Sequence, residues 1–138
     1  MFSVLHIDDD ETSLQLAKIY LEDICTHANV TVESESDPTR LSSWLTYDFD
    51  CYIVDYNMPQ RNGLELCKKI RELKNSPFVL YTNREQKEIP YSELEQLNIR
   101  YHQKDSDPTK CCSLTETIME LIQNDLESRK KLEPFIER

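Results

Sequence analysis

The sequence predicts an α/β fold in which a five-stranded parallel sheet is covered by helices on both faces. Short apolar runs recur five times, and segments with apolar residues at helical spacing separate them. Strict alternation of this kind requires right-handed crossovers, which place helices on both faces of a parallel sheet. The 138 residues suffice for one domain with one core, and no second globular unit fits.

The five strands are expected at residues 4–7, 30–32, 51–54, 78–81 and 99–102, each a short run rich in branched or aromatic residues. Between the first two, Leu14, Ala17, Leu21 and Ile24 recur at helical spacing. Leu41, Trp44 and Leu45 mark the second helix, and Leu66, Ile70 and Leu73 the third. Pro90 interrupts the fourth helical segment, so that helix should run only from Tyr91 to Leu97 after a long loop. The fifth presents Leu114, Ile118, Leu121 and Ile122 on one face, starts after Asp107-Pro108 and extends towards Pro134. The chain thus reads as one unit over residues 1–126, with a charged continuation of the last helix over 127–138 that is too short to be an output domain.

Composition excludes several classes of function. Net charge is −10, from 26 acidic and 16 basic side chains, with no Lys/Arg cluster able to track a phosphate backbone, so no nucleic-acid partner is expected. The start MFSVLHIDDDE lacks the apolar run and basic flank of a secretory signal, and no stretch approaches the ~20 apolar residues of a membrane span. A cytoplasmic protein without membrane contact is expected. Five cysteines, Cys25, Cys51, Cys67, Cys111 and Cys112, are odd in number and lack CxxC spacing, so they are expected to be reduced thiols.

The chemistry falls at the strand ends. Asp8, Asp9 and Asp10 follow the first strand, Asp55 the third, Thr82 the fourth and Lys104 the fifth. In an open parallel sheet these carboxyl ends share one edge, where ligands bind. Clustered carboxylates repel unless a hard cation compensates them, and magnesium takes one or two such ligands beside waters and phosphate oxygens. Asp8 and Asp9 are the candidate metal residues, with Asp55 supplying a further oxygen. A carboxylate can also act as a nucleophile and form an aspartyl-phosphate. Lys104 would then supply a point charge, and Thr82 a hydroxyl donor, to the transferring group.

The segments VLHIDDDE, CYIVDYNMPQRNGLEL, FVLYTNR and YHQKDSDP resemble the four signature segments of response-regulator receiver domains, in order and over residues 2–124. The resemblance implies the doubly wound, CheY-like (flavodoxin-like) sheet of order 2-1-3-4-5. It implies Asp55 as phosphoacceptor, Asp8 and Asp9 as acidic metal residues, and Asn57 as a backbone carbonyl ligand. Thr82 and Tyr101 would be the switch pair, Lys104 and Thr82 would contact the phosphoryl group, and Asn57, Asn83 and Arg84 would tune turnover. The implied cofactor is Mg2+, for which Mn2+ could substitute. The implied partners are a sensor histidine kinase or phosphotransfer protein and a downstream protein on the face of helix four, strand five and helix five; a homodimer is compatible with it. YHQKDSDP resembles stand-alone receivers of archaeal type.

Three positions depart from the family pattern. Asp105 replaces the usual proline after the lysine, Asn83 is larger than the usual residue after the switch threonine, and Asn62 replaces Asp before Gly63. Asn83 is expected to slow phosphoryl turnover. Bland alternatives stand beside these roles. Asp8 to Asp10 could be a helix-start charge run with Asp10 as cap, and Tyr101 a packed strand aromatic. Gly63, the single glycine, suggests a positive φ or else a tolerant turn. His6, His27 and His102 read as structural or exposed. Two other functions compete: a haloacid-dehalogenase-type phosphatase using Asp8 as nucleophile, and a receiver-like interaction module that is never phosphorylated.

Overall fold

The computed structural model describes residues 1–59, 62–104 and 111–132. Five parallel strands form one sheet in the order β2-β1-β3-β4-β5, with β1 Phe2–Ile7, β2 Val30–Glu35, β3 Cys51–Val54, β4 Phe78–Thr82 and β5 Ile99–Gln103. The helices are α1 Glu11–Lys18, α2 Leu41–Trp44, α3 Gly63–Arg71, α4 Tyr91–Leu97 and α5 Cys111–Leu132. The expected strand centres, the parallel sheet and the bounds of the fourth helix all match. The start of the last helical segment near Asp107-Pro108, and its end towards Pro134, lie outside the described residues. No helix among the described residues is long and apolar enough to cross a membrane.

Alternation along the strands divides the core in two. Leu5, Ile7, Tyr52, Val54, Phe78 and Leu80 meet α2, α3 and α4 through Leu41, Leu66, Ile70 and Leu94. Val4, Val32, Ile53 and Val79 meet Leu21 and the α5 residues Leu114, Ile118 and Ile122. Because both faces are covered, β3 is buried throughout, which is why its sequence is apolar without alternation.

The first helix departs from its expected face. After α1 the chain widens into a π-helical segment, Ile19–Ile24, closed by the Cys25 amide donating to the Tyr20 carbonyl at 2.9 Å. Bonding to the fifth rather than the fourth preceding residue turns the chain less per residue. Ile24 therefore leaves the expected face and is 53% exposed, while Cys25, four residues after Leu21, is buried. Helix two is one turn preceded by a 3-10 turn at Pro38–Arg40, shorter than its apolar spacing suggests. Leu73 lies beyond α3 in a turn closed on the Ile70 carbonyl and is exposed, not on the buried face.

The cysteine expectation is also corrected: Cys25 and Cys112 form a disulfide, with Cα atoms 6.1 Å apart. Cys25, four residues after Leu21, lies on the same buried side of the chain, and the π-helical segment packs on α5. Cys51 and Cys67 are buried thiols.

Three asparagines shape the entries to α3, β2 and β5. Asn62 caps α3 by accepting from the Glu65 amide at 2.9 Å. Asn29 and Asn98 adopt left-handed backbone, φ 54° and 56°, and turn the chain into β2 and β5. Asn tolerates this conformation better than most residues with a Cβ.

Arg71 joins the far ends of two helices. Its guanidinium donates to the Ser76 carbonyl at 2.9 Å and the Leu97 carbonyl at 3.0 Å, and it lies 4.2 Å from the centre of the Phe78 ring. Arg71→Met keeps the aliphatic stem but removes both donors, so a loss of about 2 kcal/mol is expected. The urea midpoint should fall accordingly, and an unchanged midpoint would assign these contacts no net value.

Candidate functional site

The carboxyl ends of β1, β3, β4 and β5 bring the predicted residues to one edge. The Asp55 amide donates to the Ile7 carbonyl at 3.1 Å, and the Lys104 amide to the Thr82 carbonyl at 2.8 Å. Backbone pairing alone therefore sets Asp8 beside Asp55 and Thr82 beside Lys104. Oxygens of Asp8, Asp9 and Asp55 lie within 4.8 Å of one another. Asp8 and Asp55 are buried, and Asp9 is exposed at the mouth.

Lys104 is the counter-charge to this cluster. Its Nζ donates to Asp8 Oδ2 at 2.6 Å and lies 3.7 Å from Asp55 Oδ2. The other Asp8 oxygen, Oδ1, accepts from the Asp10 amide at 3.0 Å. Asp10 in turn caps α1 through the Thr12 amide, so capping belongs to Asp10 and not to the whole acidic run. Three carboxylates against one ammonium leave an excess of negative charge. An all-oxygen set of this kind fits a hard divalent cation, which typically retains waters beside one or two carboxylates.

Burial pushes the Asp55 carboxyl above the ordinary carboxylate range. The Lys104 charge opposes this, the Asp8 charge adds to it, and the Thr82 hydroxyl and Asn57 amide oppose it by hydrogen bonding to the carboxylate. A raised value in the fold means that protonation favours folding. Asp55's contribution is therefore greatest below the ordinary carboxylate pKa and is lost as pH rises through the raised folded value. Without divalent cations, Asp55→Asn should have a higher urea midpoint than wild type at neutral pH, with the gap closing in acid. A gap of the same size at every pH would contradict this origin.

The switch candidates meet at one residue, Arg84. Thr82 Oγ1 accepts from the Arg84 amide at 3.3 Å, and the Tyr101 hydroxyl donates to the Arg84 carbonyl. Asn83 is exposed at the end of β4, with its carbonyl 3.4 Å from Gln103 Nε2, and the Arg84 side chain reaches Glu88. Asn57 is exposed beside Asp55. Asp105 lies outside the described residues.

The sequence singled out two residues without fixing their environment. Gly63 has no positive φ: it is the first residue of α3, its amide donates to the Tyr56 carbonyl at 2.8 Å, and it lies against the Asp55 backbone. His6 is wholly buried, with neither ring nitrogen hydrogen-bonded, and its Nε2 is 3.9 Å from Asp8 Oδ2. Burial depresses its pKa to about 4, so it is neutral near pH 7. The signal for His6 was available: a strand residue two positions before Asp8 faces the same side.

The fold, with its acidic cluster and lysine at one edge of the sheet, is that of a receiver domain. The chain belongs to the response regulator receiver domain family, whose sequence model matches residues 4–116. It is 32% identical over 83 residues to the response regulator ArlR of Staphylococcus epidermidis, covering 59% of this chain and 36% of that protein. The chain thus spans about a third of the length of the curated relatives it matches. Among solved structures it resembles the chemotaxis protein CheY4 of Vibrio cholerae, with TM-score 0.72, 26% identity, and 88% and 98% of the two chains covered. The response regulator domain of Thermotoga maritima CheB, at TM-score 0.76, 16% identity, and 89% and 97% coverage, shares the fold.

Proposed function

We propose that Asp55 accepts a phosphoryl group from a phosphohistidine of a sensor kinase or phosphotransfer protein, and that its phosphorylation switches protein contacts. The observation that carries this reading is Lys104, whose ammonium reaches both Asp8 and Asp55 while Asp9 completes the acidic cluster. An Asp55 oxygen attacks phosphorus, the bond from phosphorus to the donor imidazole breaks, and the imidazole departs with the electron pair. Lys104 and the Thr82 hydroxyl meet the charge on the phosphoryl oxygens, and the reaction is governed by positioning and charge stabilisation. Bound by Asp8, Asp9, Asp55 and the Asn57 carbonyl, a magnesium ion would supply further positive charge to those oxygens.

The switch follows from shared contacts. When Thr82 turns its hydroxyl to the phosphoryl group, it gives up the Arg84 amide, and the residue whose carbonyl holds Tyr101 is loosened. Tyr101 and the face of α4, β5 and α5 then change their affinity for a downstream protein. Asn83, at the exposed mouth, restricts water and slows hydrolysis, so Asn83→Ala should shorten the phosphorylated lifetime. Net charge of −10 suits protein partners in the cytoplasm rather than nucleic acid. Residues 127–132 form a charged continuation of the receiver's last helix in this reading.

Asp8 as nucleophile, the phosphatase alternative, is disfavoured because the residue is buried and both its oxygens are engaged. Incubation with a small acyl-phosphate and magnesium, followed by intact-mass measurement, decides the matter. Wild type should gain one phosphoryl mass and Asp55→Asn none. Uptake retained in Asp55→Asn and lost in Asp8→Asn would favour the phosphatase, and magnesium binding without any uptake would favour an unphosphorylated interaction module.

A further inference from the structure

The Cys25–Cys112 pair lies outside the phosphoryl site but is connected to it. Cys112 stands in the first turn of α5, and the next residue, Ser113, meets His102 Nε2 through its hydroxyl at 3.1 Å. His102 lies on β5 two residues before Lys104. The start of α5 is thus held on one side to the end of the π-helical segment, through Cys25, and on the other to the strand that delivers the ammonium. Of these two ties, the first is a bond that electrons can make or break.

We propose that Cys25 and Cys112 form a reversible redox site, closed by thiol–disulfide exchange with a small disulfide such as oxidised glutathione, and that closing it holds Lys104 more firmly for phosphoryl transfer. The inference rests on the proposed function only for its reducing compartment and its kinetic readout. In such a compartment, disulfides of ordinary proteins are transient. The Cys112 thiolate attacks one sulfur of the small disulfide and expels a thiolate. The Cys25 thiolate then attacks the Cys112 sulfur and expels the second. Two protein thiols lose two protons and two electrons, and the small disulfide is reduced to two thiols.

Exposure assigns the order of attack. Cys25 is 1% exposed and Cys112 is half-buried, so the external sulfur meets Cys112 first. Cys51 and Cys67 are fully buried in the two halves of the core, and burial holds the Cys67 thiol up at about 12, so neither competes as a thiolate. A fixed α5 start pre-positions the Lys104 charge, and pre-positioned charge lowers the barrier without reorganisation.

The test uses the full chain held in oxidised or reduced glutathione, then unfolded in denaturant containing a maleimide so that the buried Cys51 and Cys67 also react, and weighed intact. The oxidised protein should carry label on three of its five cysteines and the reduced protein on all five. The pairing should survive Cys111→Ser and vanish in Cys112→Ser. The amide resonances of His102 and Lys104 should differ between the two states, a readout that needs no phosphorylation. Uptake from an acyl-phosphate should be several-fold faster in the oxidised wild type and independent of redox state in Cys25→Ser. Five labelled cysteines under oxidising conditions, a glutathione adduct without the internal bond, or identical amide resonances in both states would each overturn the proposal. Equal uptake rates in both states, or faster uptake by the reduced form, would do the same. Should Asp55 take no phosphate in either state, the proposed function fails, and the label count and amide resonances still decide the redox site.

Discussion

Lys104→Met should slow phosphoryl uptake by about 10²- to 10³-fold, the usual cost of deleting one positioned donor to a developing oxyanion. It should also destabilise the protein, for a separate reason. Lys104 Nζ sits 2.6 Å from Asp8 Oδ2, and the two side chains are 12% and 0% exposed. Removing one partner of a buried pair leaves the other charged and uncompensated, which costs about 3 kcal/mol or more. The methionine keeps the apolar stem, so lost packing contributes little.

Magnesium separates the two effects. A divalent cation among Asp8, Asp9 and Asp55 offers the compensation that the ammonium no longer gives, so it should raise the urea midpoint of Lys104→Met more than that of wild type. It should not restore the rate, because the phosphoryl oxygens would still lack their ammonium. Asp8→Asn in the Lys104→Met background should recover stability, and the coupling between the two substitutions measures the pair itself. A Lys104→Met protein with wild-type uptake would remove Lys104 from the site, and a midpoint unmoved by magnesium would argue against the three-carboxylate cluster as a cation site.

Much of this was legible because parallel, doubly covered strands must be apolar on both sides, which makes their ends easy to locate. Once the ends are located, Asp8, Asp55, Thr82 and Lys104 fall on one edge by topology, with no need to know a side-chain torsion. Pro90 likewise marked the start of α4, because proline cannot continue a helix from its interior. What escaped depends on distances that no local pattern encodes. Helical spacing assumes a fixed turn per residue, so the π-helical segment carried Ile24 off the expected face. Cysteine spacing carries no connectivity, so the bond from Cys25 to Cys112, 87 positions away, left no trace. The single glycine was visible, but its reason was not, since a close approach to another segment is a property of the assembled fold.

That close approach makes Gly63→Ala damaging although the position lies outside the chemistry. A Cβ there would fall well inside contact distance of the Asp55 carbonyl oxygen and 2.9 Å from the Asp55 carbonyl carbon and Tyr56 Cα. All three are backbone atoms of the acceptor segment, which cannot rotate away as a side chain could. Either α3 must retreat, stretching the bond from the Gly63 amide to the Tyr56 carbonyl, or Asp55 must shift. Overpacking of this kind costs about 2–3 kcal/mol, more than the ~1 kcal/mol that alanine gains over glycine in a helix. At about 3 °C per kcal/mol for a chain of this size, the melting temperature should fall by roughly 5 °C. Uptake at Asp55 should slow as well, because near-attack geometry tolerates little displacement. Asn62→Ala supplies the control: it removes the α3 cap for about 1 kcal/mol without adding an atom against Asp55. If both variants lose stability but only Gly63→Ala loses rate, the glycine sets the acceptor's position; if Gly63→Ala keeps the wild-type rate, α3 yields instead and Asp55 stays in place.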